Sequence, residues 1–248
     1  MVIAGEAAAA TSHPLATMAA IEALKAGGTA MDAAICAAAT LGVVEPAMTG
    51  IGGDCFMLMS VGGTDRVLAY NGAGRAAAGA DPAWFQQRKL RSIDPDSIHA
   101  VTVPGCVEAW CRLAQDHGKL GIDRLLQPAI RYAEEGFPVA PRVAFDWAEA
   151  VPRLARHPIT AKQYLPGGRA PNVGDRVQFP LLGKSLREIA WKGAEGFYQG
   201  WVAEDIARCL KAEGSFIRAE DLAGHRGEYC LPIKTGYRGL QVWECPPP

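Results

Sequence analysis

Residues 42–75 read GVVEPAMTGIGGDCFMLMSVGGTDRVLAYNGAGR, a glycine-punctuated stretch that sets the architecture of the chain. Gly50, Gly52 and Gly53 run directly into CFMLMSV, and Gly62 and Gly63 separate that run from RVLAY. Glycine allows positive φ and close backbone approach, so residues 50–53 are expected to form a constrained turn with another segment tight against it. The apolar runs at residues 55–61 and 66–70 flank GGTD, the composition of a β-hairpin with a four-residue loop. Phe56 and Leu58 alternate with Met57 and Met59, so both faces of the first strand are apolar, whereas a sheet with one wet face alternates apolar and polar. The sheet is therefore expected to be covered on both sides.

Upstream of this hairpin, a short strand is expected at residues 2–4. His13-Pro14 then opens a helix over residues 14–26, because proline at the first helical position gives up an N–H that has no intrahelical partner, and Gly27-Gly28 ends it. Thr29 caps a second helix reaching about residue 41. Asp32 sits where a capping-box acid belongs. The many alanines of this helix leave little bulk on any face and suit close packing. Downstream, Asp81-Pro82 caps a short helix, residues 100–103 suit a strand, and residues 105–115, 127–135 and 141–150 suit helices. Residues 152–180, rich in Pro, Gly and charge, read as an excursion or lid. Helices follow at 181–191 and 201–212, a helical turn at 219–222, and strands at 231–235 and 240–245. Pro246, Pro247 and Pro248 remove the donors that would extend the last strand, so the domain is expected to be cut short there.

Composition narrows the class. A chain of 248 residues, 49% hydrophobic and 21% charged, is long enough for one large globular domain spanning residues 1–248. A formal net charge of -1, with no block of Lys and Arg, argues against nucleic acid or an anionic membrane as partner and favours small-molecule chemistry. The N-terminal residues lack a basic segment followed by an apolar core, and no apolar run approaches about eighteen residues. If Met1 is the native start, a cytoplasmic location is expected. Seven cysteines without a CxxC pair suggest buried reduced thiols rather than a metal site or a disulfide framework.

Residues 72–77, GAGRAA, fit GxGxxA after a strand, which makes a dinucleotide-binding fingerprint the alternative class. Asp81-Pro82 interrupts the helix that such a site needs. GIGG precedes a strand and lacks GK[ST], so it is no P-loop. No GxSxG occurs, Ser12-His13 reads as a helix cap, and His99, His117, His157 and His225 read as isolated surface or loop histidines without metal-ligand spacing.

The order of His13 to Ala16 (HPLA), Gly27 to Ala34 (GGTAMDAA), GVVEP, GIGG, FML and AEEGFPV resembles the γ-glutamyltranspeptidase family of N-terminal-nucleophile hydrolases. The likeness continues through Val103-Pro104-Gly105, residues 127–139, Ala219-Glu220-Asp221-Leu222 and the terminal Glu244-Cys245-Pro246-Pro247-Pro248. It implies an α+β fold, an αββα four-layer sandwich left incomplete because the C-terminal small subunit is missing. It also implies a proenzyme that cleaves itself before a threonine downstream of this chain. No residue here matches that threonine, so no catalytic residue is expected in this chain, and the fragment alone should be inactive. The partners implied are a small-molecule amide substrate and the small subunit, with no cofactor and no metal.

In that family the end of this hairpin carries Phe-Arg-Glu, whose arginine pairs with the α-carboxylate of the γ-glutamyl donor. Here Asn71 follows the aromatic Tyr70, and the nearest arginine is Arg75. The guanidinium of Arg75 offers two parallel N–H donors to a carboxylate, and it reads either as that clamp or as a surface arginine. Asn71 is the second substrate-binding candidate. The departure lowers the expectation of strict γ-glutamyl specificity and raises that of a related amidohydrolase or acylase acting on oxamate or a cephalosporin.

Overall fold

The computed structural model describes residues 3–62 and 64–248. In chain order, α1 (Pro14–Lys25) and α2 (Ala30–Val44) precede β1 (Cys55–Ser60), β2 (Val67–Gly72) and α3 (Pro82–Gln87). Then come α4 (Cys106–His117), α5 (Ile122–Leu125), α6 (Gln127–Glu135), β3 (Phe137–Pro138), α7 (Pro141–Leu154) and α8 (Pro158–Tyr164). The chain continues through β4 (Arg176–Val177), α9 (Pro180–Lys192), α10 (Glu195–Tyr198), α11 (Gly200–Ala212) and α12 (Ala219–Ala223). It ends on β5 (Glu228–Cys230), β6 (Ile233–Tyr237) and β7 (Leu240–Glu244). Two compact units result: Met1–Gly50 with Leu113–Gly193, and Ile51–Arg112 with Ala194–Pro248. No helix among the described residues is long and apolar enough to cross a membrane.

The first unit is helical because its sequence supplies caps at short intervals. His13 caps α1 by accepting the Leu15 amide on Nδ1 at 3.2 Å, and Thr29 and Asp32 form the expected reciprocal capping box on α2. Buried alanines let α1 and α2 pack closely, among them Ala16, Ala19 and Ala20 on α1 and Ala33, Ala37 and Ala39 on α2. Asp32 is fully buried, and its oxygens also accept the amides of Lys119 at 2.8 Å and Leu120 at 3.3 Å. Residues 152–180 are firmly anchored. Trp147 stacks on Phe179 with ring centroids 6.1 Å apart, and its indole donates to the Tyr164 carbonyl at 2.7 Å, which pins α8. The helix expected to end at residue 150 runs on to Leu154 with Pro152 in its last turn. The strand expected at residues 2–4 begins outside the described residues, and Ile3 and Ala4 lie in no strand.

The second unit carries the hairpin. β1 and β2 pair antiparallel from Cys55↔Gly72 to Ser60↔Val67, and β5 adds on the far side of β2 with Tyr70 opposite Tyr229. Val61 N–H donates to Arg66 O at 2.9 Å, which closes the expected loop, of which Gly63 lies outside the described residues. β6 and β7 form a separate hairpin turning at Arg238 and Gly239, both at positive φ as a two-residue hairpin turn requires. Residues 100–103 form no strand; only Val103 N–H reaches across, to Arg75 O at 3.0 Å. The expectation of a sheet covered on both faces is not met in this unit. Met57 and Met59 are half-buried, but Phe56 and Leu58 on the opposite face stand 47% and 42% exposed.

Candidate functional site

The crowding expected at residues 50–53 occurs elsewhere. A Cβ on Gly50 or Gly52 would meet nothing, whereas one on Gly74 would lie 1.4 Å from Val103 O and one on Gly105 2.0 Å from Gly72 O. None of Gly72, Gly74 and Gly105 takes a positive φ, so these glycines are required for backbone contact and not for unusual dihedrals. The end of β2 thus lies flush on residues 103–105. The 50–53 turn joins the same assembly through Gly53 O, which accepts the amides of Gly105 at 3.0 Å and Cys106 at 2.9 Å.

This backbone frame fixes the segment that holds both candidate binding residues. Asn71 Oδ1 accepts the Ala73 amide at 2.9 Å, which fixes the carboxamide on its own turn and leaves its N–H donors for a ligand. Asp54 Oδ1 accepts the Gly74 amide at 2.9 Å, and Arg75 O receives the Val103 amide. The Arg75 main chain is therefore pinned from two directions, while its side chain is exposed and has no ion-pair partner among the described residues. A guanidinium held by its backbone and free at its tip suits capture of a carboxylate.

Behind the turn lies a buried polar chain. Tyr70 donates to Glu108 Oε2 at 2.8 Å, and Gly227 N–H donates to the same oxygen at 3.0 Å. The Glu108 amide donates to the Tyr198 hydroxyl at 3.1 Å, and that hydroxyl donates to Pro104 O at 2.7 Å. Burial, reinforced by the Glu108 contact, pushes the Tyr70 hydroxyl well above the usual phenol range, and burial does the same to Tyr198. Both remain protonated donors. His225 stacks on Tyr198 at 5.6 Å, and its buried Nε2 has no hydrogen-bond partner. Burial holds its pKa below the ordinary value; Glu108 and Asp54 oppose that shift, and Arg226 and Arg75 add to it. His225 is thus an interior residue, not the surface histidine expected, and His99 likewise sits in an aromatic cluster with Trp84, Phe85 and Phe216.

Asp54, Glu108, Tyr198 and His225 escape sequence reading because nothing local marks them, and only the fold brings them beside Tyr70 and Arg75. The dinucleotide alternative fails on geometry. After Gly72 and Gly74 no helix begins until α3, whose six residues start at Pro82, so no helix N-terminus faces the glycines. Of the cysteines, Cys36 and Cys106 are buried, Cys209 is exposed and the rest are intermediate, so uniform burial of the thiols does not hold. Among the described residues no group of three or more His, Cys, Asp or Glu side chains is arranged to hold a metal.

Comparison with known proteins places this frame. The fold is that of the N-terminal-nucleophile hydrolases, α+β, represented here by helices and three small sheets among the described residues. Residues 16–248 match the gamma-glutamyltranspeptidase family, and the chain belongs to it. The crystal structure of Helicobacter pylori gamma-glutamyltranspeptidase superposes with a TM-score of 0.93 at 30% identity, covering 100% of this chain and 72% of that one. A cephalosporin acylase from Bacillus halodurans gives a TM-score of 0.88 at 40% identity, over 95% of this chain and 45% of that one. The glutathione hydrolase-like YwrD proenzyme of Bacillus subtilis is 38% identical over 95% of this chain and 45% of its own length. The chain thus spans under half the length of this curated relative.

Proposed function

We propose that residues 1–248 are the large-subunit portion of one γ-glutamyltransferase-like domain. Its complete enzyme transfers an acyl group from a γ-glutamyl or closely related amide donor to water or an amine. The attacking group is a threonine hydroxyl on the small subunit downstream, with its own α-amine as base, and no cofactor or metal takes part. In this chain Arg75 grips the carboxylate of the donor, and Asn71 presents its amide N–H groups beside it. The observation that carries this reading is the Arg75 turn, fixed by Asp54 and Val103 with its guanidinium exposed, in a chain that matches the family almost end to end.

The small subunit is the proposed cover for the apolar face of Phe56 and Leu58. Neither nucleic acid nor membrane is a proposed partner, in keeping with the net charge of -1. A cytoplasmic location is proposed on cysteine usage, since seven unpaired thiols suit a reducing compartment. A second reading, an acylase or amidohydrolase of different donor specificity, is favoured by the higher identity to the cephalosporin acylase, 40% against 30%.

The test is donor kinetics of the full-length gene product. With γ-glutamyl-p-nitroanilide, Arg75→Lys keeps the charge but loses the paired contact, so KM should rise by the equivalent of about 1 to 3 kcal/mol with kcat less affected. The 248-residue chain alone should show no turnover. Turnover by this chain alone, or unchanged KM in the Arg75 variant on every acyl donor tried, would remove the proposal.

A further inference from the structure

Asp54 offers the Arg75 turn more than the turn uses. Its Oδ1 accepts the Gly74 amide at 2.9 Å, while Oδ2 has no hydrogen-bond or ion-pair partner among the described residues, and the residue is exposed. A single backbone N–H needs only a neutral oxygen as acceptor, as the Asn71 carboxamide shows with Ala73 in the same turn. The negative charge of Asp54 is therefore surplus to the folding of the turn.

Strand register puts that charge next to Arg75. The β1–β2 ladder closes on Cys55↔Gly72, and Asp54 and Arg75 lie just outside this pair on opposite strands. Because Asp54 holds Gly74 N–H, the Cα of Arg75 lies one peptide unit, about 3.8 Å, past the Cα of the residue that Asp54 grips. Opposite charges so placed could neutralise each other, yet no ion pair forms between them. Both also act on the buried His225, with opposite sign. The end of the hairpin thus presents a negative and a positive pole side by side.

We infer that Asp54 is a specificity-determining residue that binds the α-ammonium of the donor while Arg75 binds its α-carboxylate. The site then selects α-amino-acid donors over the same carboxylates without the amine. This inference rests on the donor-site reading of Arg75 above and decides between its two forms, the γ-glutamyl donor and the acylase substrate.

The chemistry of selection follows from the two poles. An α-amino acid carries its ammonium and its carboxylate on one carbon, so a single end of the ligand can meet Asp54 and Arg75 together through charge-assisted hydrogen bonds. A donor with the carboxylate alone reaches Arg75 but brings its negative end beside Asp54 with nothing to offset the repulsion. The crowded glycine contacts at Gly74 and Gly105 keep the backbone of the turn from shifting to relieve that repulsion.

The test compares γ-glutamyl-p-nitroanilide with glutaryl-p-nitroanilide on the full-length gene product, since the two share chain and carboxylate and differ in the amine alone. The unsubstituted protein should favour the γ-glutamyl donor by about tenfold or more in kcat/KM. Asp54→Asn keeps an acceptor for Gly74 N–H and removes the charge, so KM for the γ-glutamyl donor should rise about tenfold while KM for the glutaryl donor stays level or falls. Arg75→Lys should raise both. Calorimetric titration with L-glutamate and with glutarate makes the same comparison without turnover, and Asp54→Asn should weaken glutamate alone. An equal response of both ligands to Asp54→Asn, or no preference for the amine in the unsubstituted protein, overturns the inference and leaves Asp54 as a fastener of the turn. Unchanged KM for both donors in Arg75→Lys instead removes the donor-site reading beneath it, so the two failures are read from different variants.

Discussion

Asp32 in the first unit and Glu108 in the second are both carboxylates buried away from water, and they are satisfied in different ways. Asp32 accepts the Thr29 amide at 2.7 Å, the Thr29 hydroxyl at 3.1 Å and the amides of Lys119 and Leu120. Its donors are mostly main chain, and they tie the start of α2 to residues 119 and 120, far along the sequence. Glu108 instead receives Tyr70 and Gly227 on the one oxygen Oε2, next to the protonated Tyr198 and the stacked His225. The first carboxylate works as a structural clamp closed on all sides; the second anchors a chain of side chains that borders a candidate binding turn.

The largest effect should come from breaking the clamp. Asp32→Ala leaves the part-buried amides of Thr29, Lys119 and Leu120 without this acceptor, while the Thr29 hydroxyl keeps the His117 carbonyl at 2.9 Å, and a loss on the order of 3 kcal/mol is expected in chemical denaturation. Asp32→Asn should recover little of it, because its NH2 group would face donors. In full-length protein that still folds, donor KM should be unchanged. A variant that loses donor affinity in proportion to its stability would erase the distinction between the two carboxylates.

A smaller effect is expected at the second carboxylate. Tyr70→Phe keeps the ring and its edge-on contact with Tyr229, at 4.9 Å, but leaves Glu108 Oε2 with Gly227 alone. Loss of one buried hydrogen bond to a charged group predicts about 1 to 2 kcal/mol, and here donor KM should move as well because β2 leads directly into the Arg75 turn. An unchanged KM with lowered stability would make Glu108 a second clamp and nothing more.

The contrast also explains what the sequence discloses. The Thr29 and Asp32 capping box, the proline-led helices and the β1–β2 hairpin are specified by residues a few positions apart, so pattern alone places them within a few residues. β5 is not legible in the sequence because RGEYC has no strand signal of its own and becomes a strand only by pairing with β2, about 160 positions away, from Asn71↔Glu228 to Ala69↔Cys230. The VTV of residues 101–103 errs in the opposite direction, β-branched in composition but given a single cross-strand amide contact. Arg75 was readable as a candidate because the family resemblance reaches it. Asp54, Glu108 and His225 were not, since each acquires its meaning from a contact whose partner lies elsewhere in the chain.

The smallest expected effect sharpens the comparison through pH. His225 and His13 are both buried with pKa values held below the usual one, chiefly by burial; Glu45 opposes the shift at His13, while at His225 Glu108 and Asp54 oppose it and Arg226 and Arg75 reinforce it. A histidine kept neutral in the folded state binds fewer protons than it does unfolded. Its contribution to stability is complete above the unfolded value of about 6.5 and is lost as pH falls from there towards the folded value. Each such group gives a slope of at most about 1.4 kcal/mol per pH unit in that window. His225→Phe preserves the stack on Tyr198 and removes both the titration and the unpaired Nε2, so denaturation midpoints measured between about pH 7.5 and 5 should fall less steeply than in the unsubstituted protein. His13 still titrates in this variant, so some slope should remain. The decisive comparison is with His13→Asn, which lies in the first unit and should reduce the slope without touching donor KM, whereas His225→Phe should shift the acid limb of the donor KM profile as well. Equal slopes in all three proteins would show that neither histidine is held neutral by its surroundings, and would remove His225 from the polar chain behind Arg75.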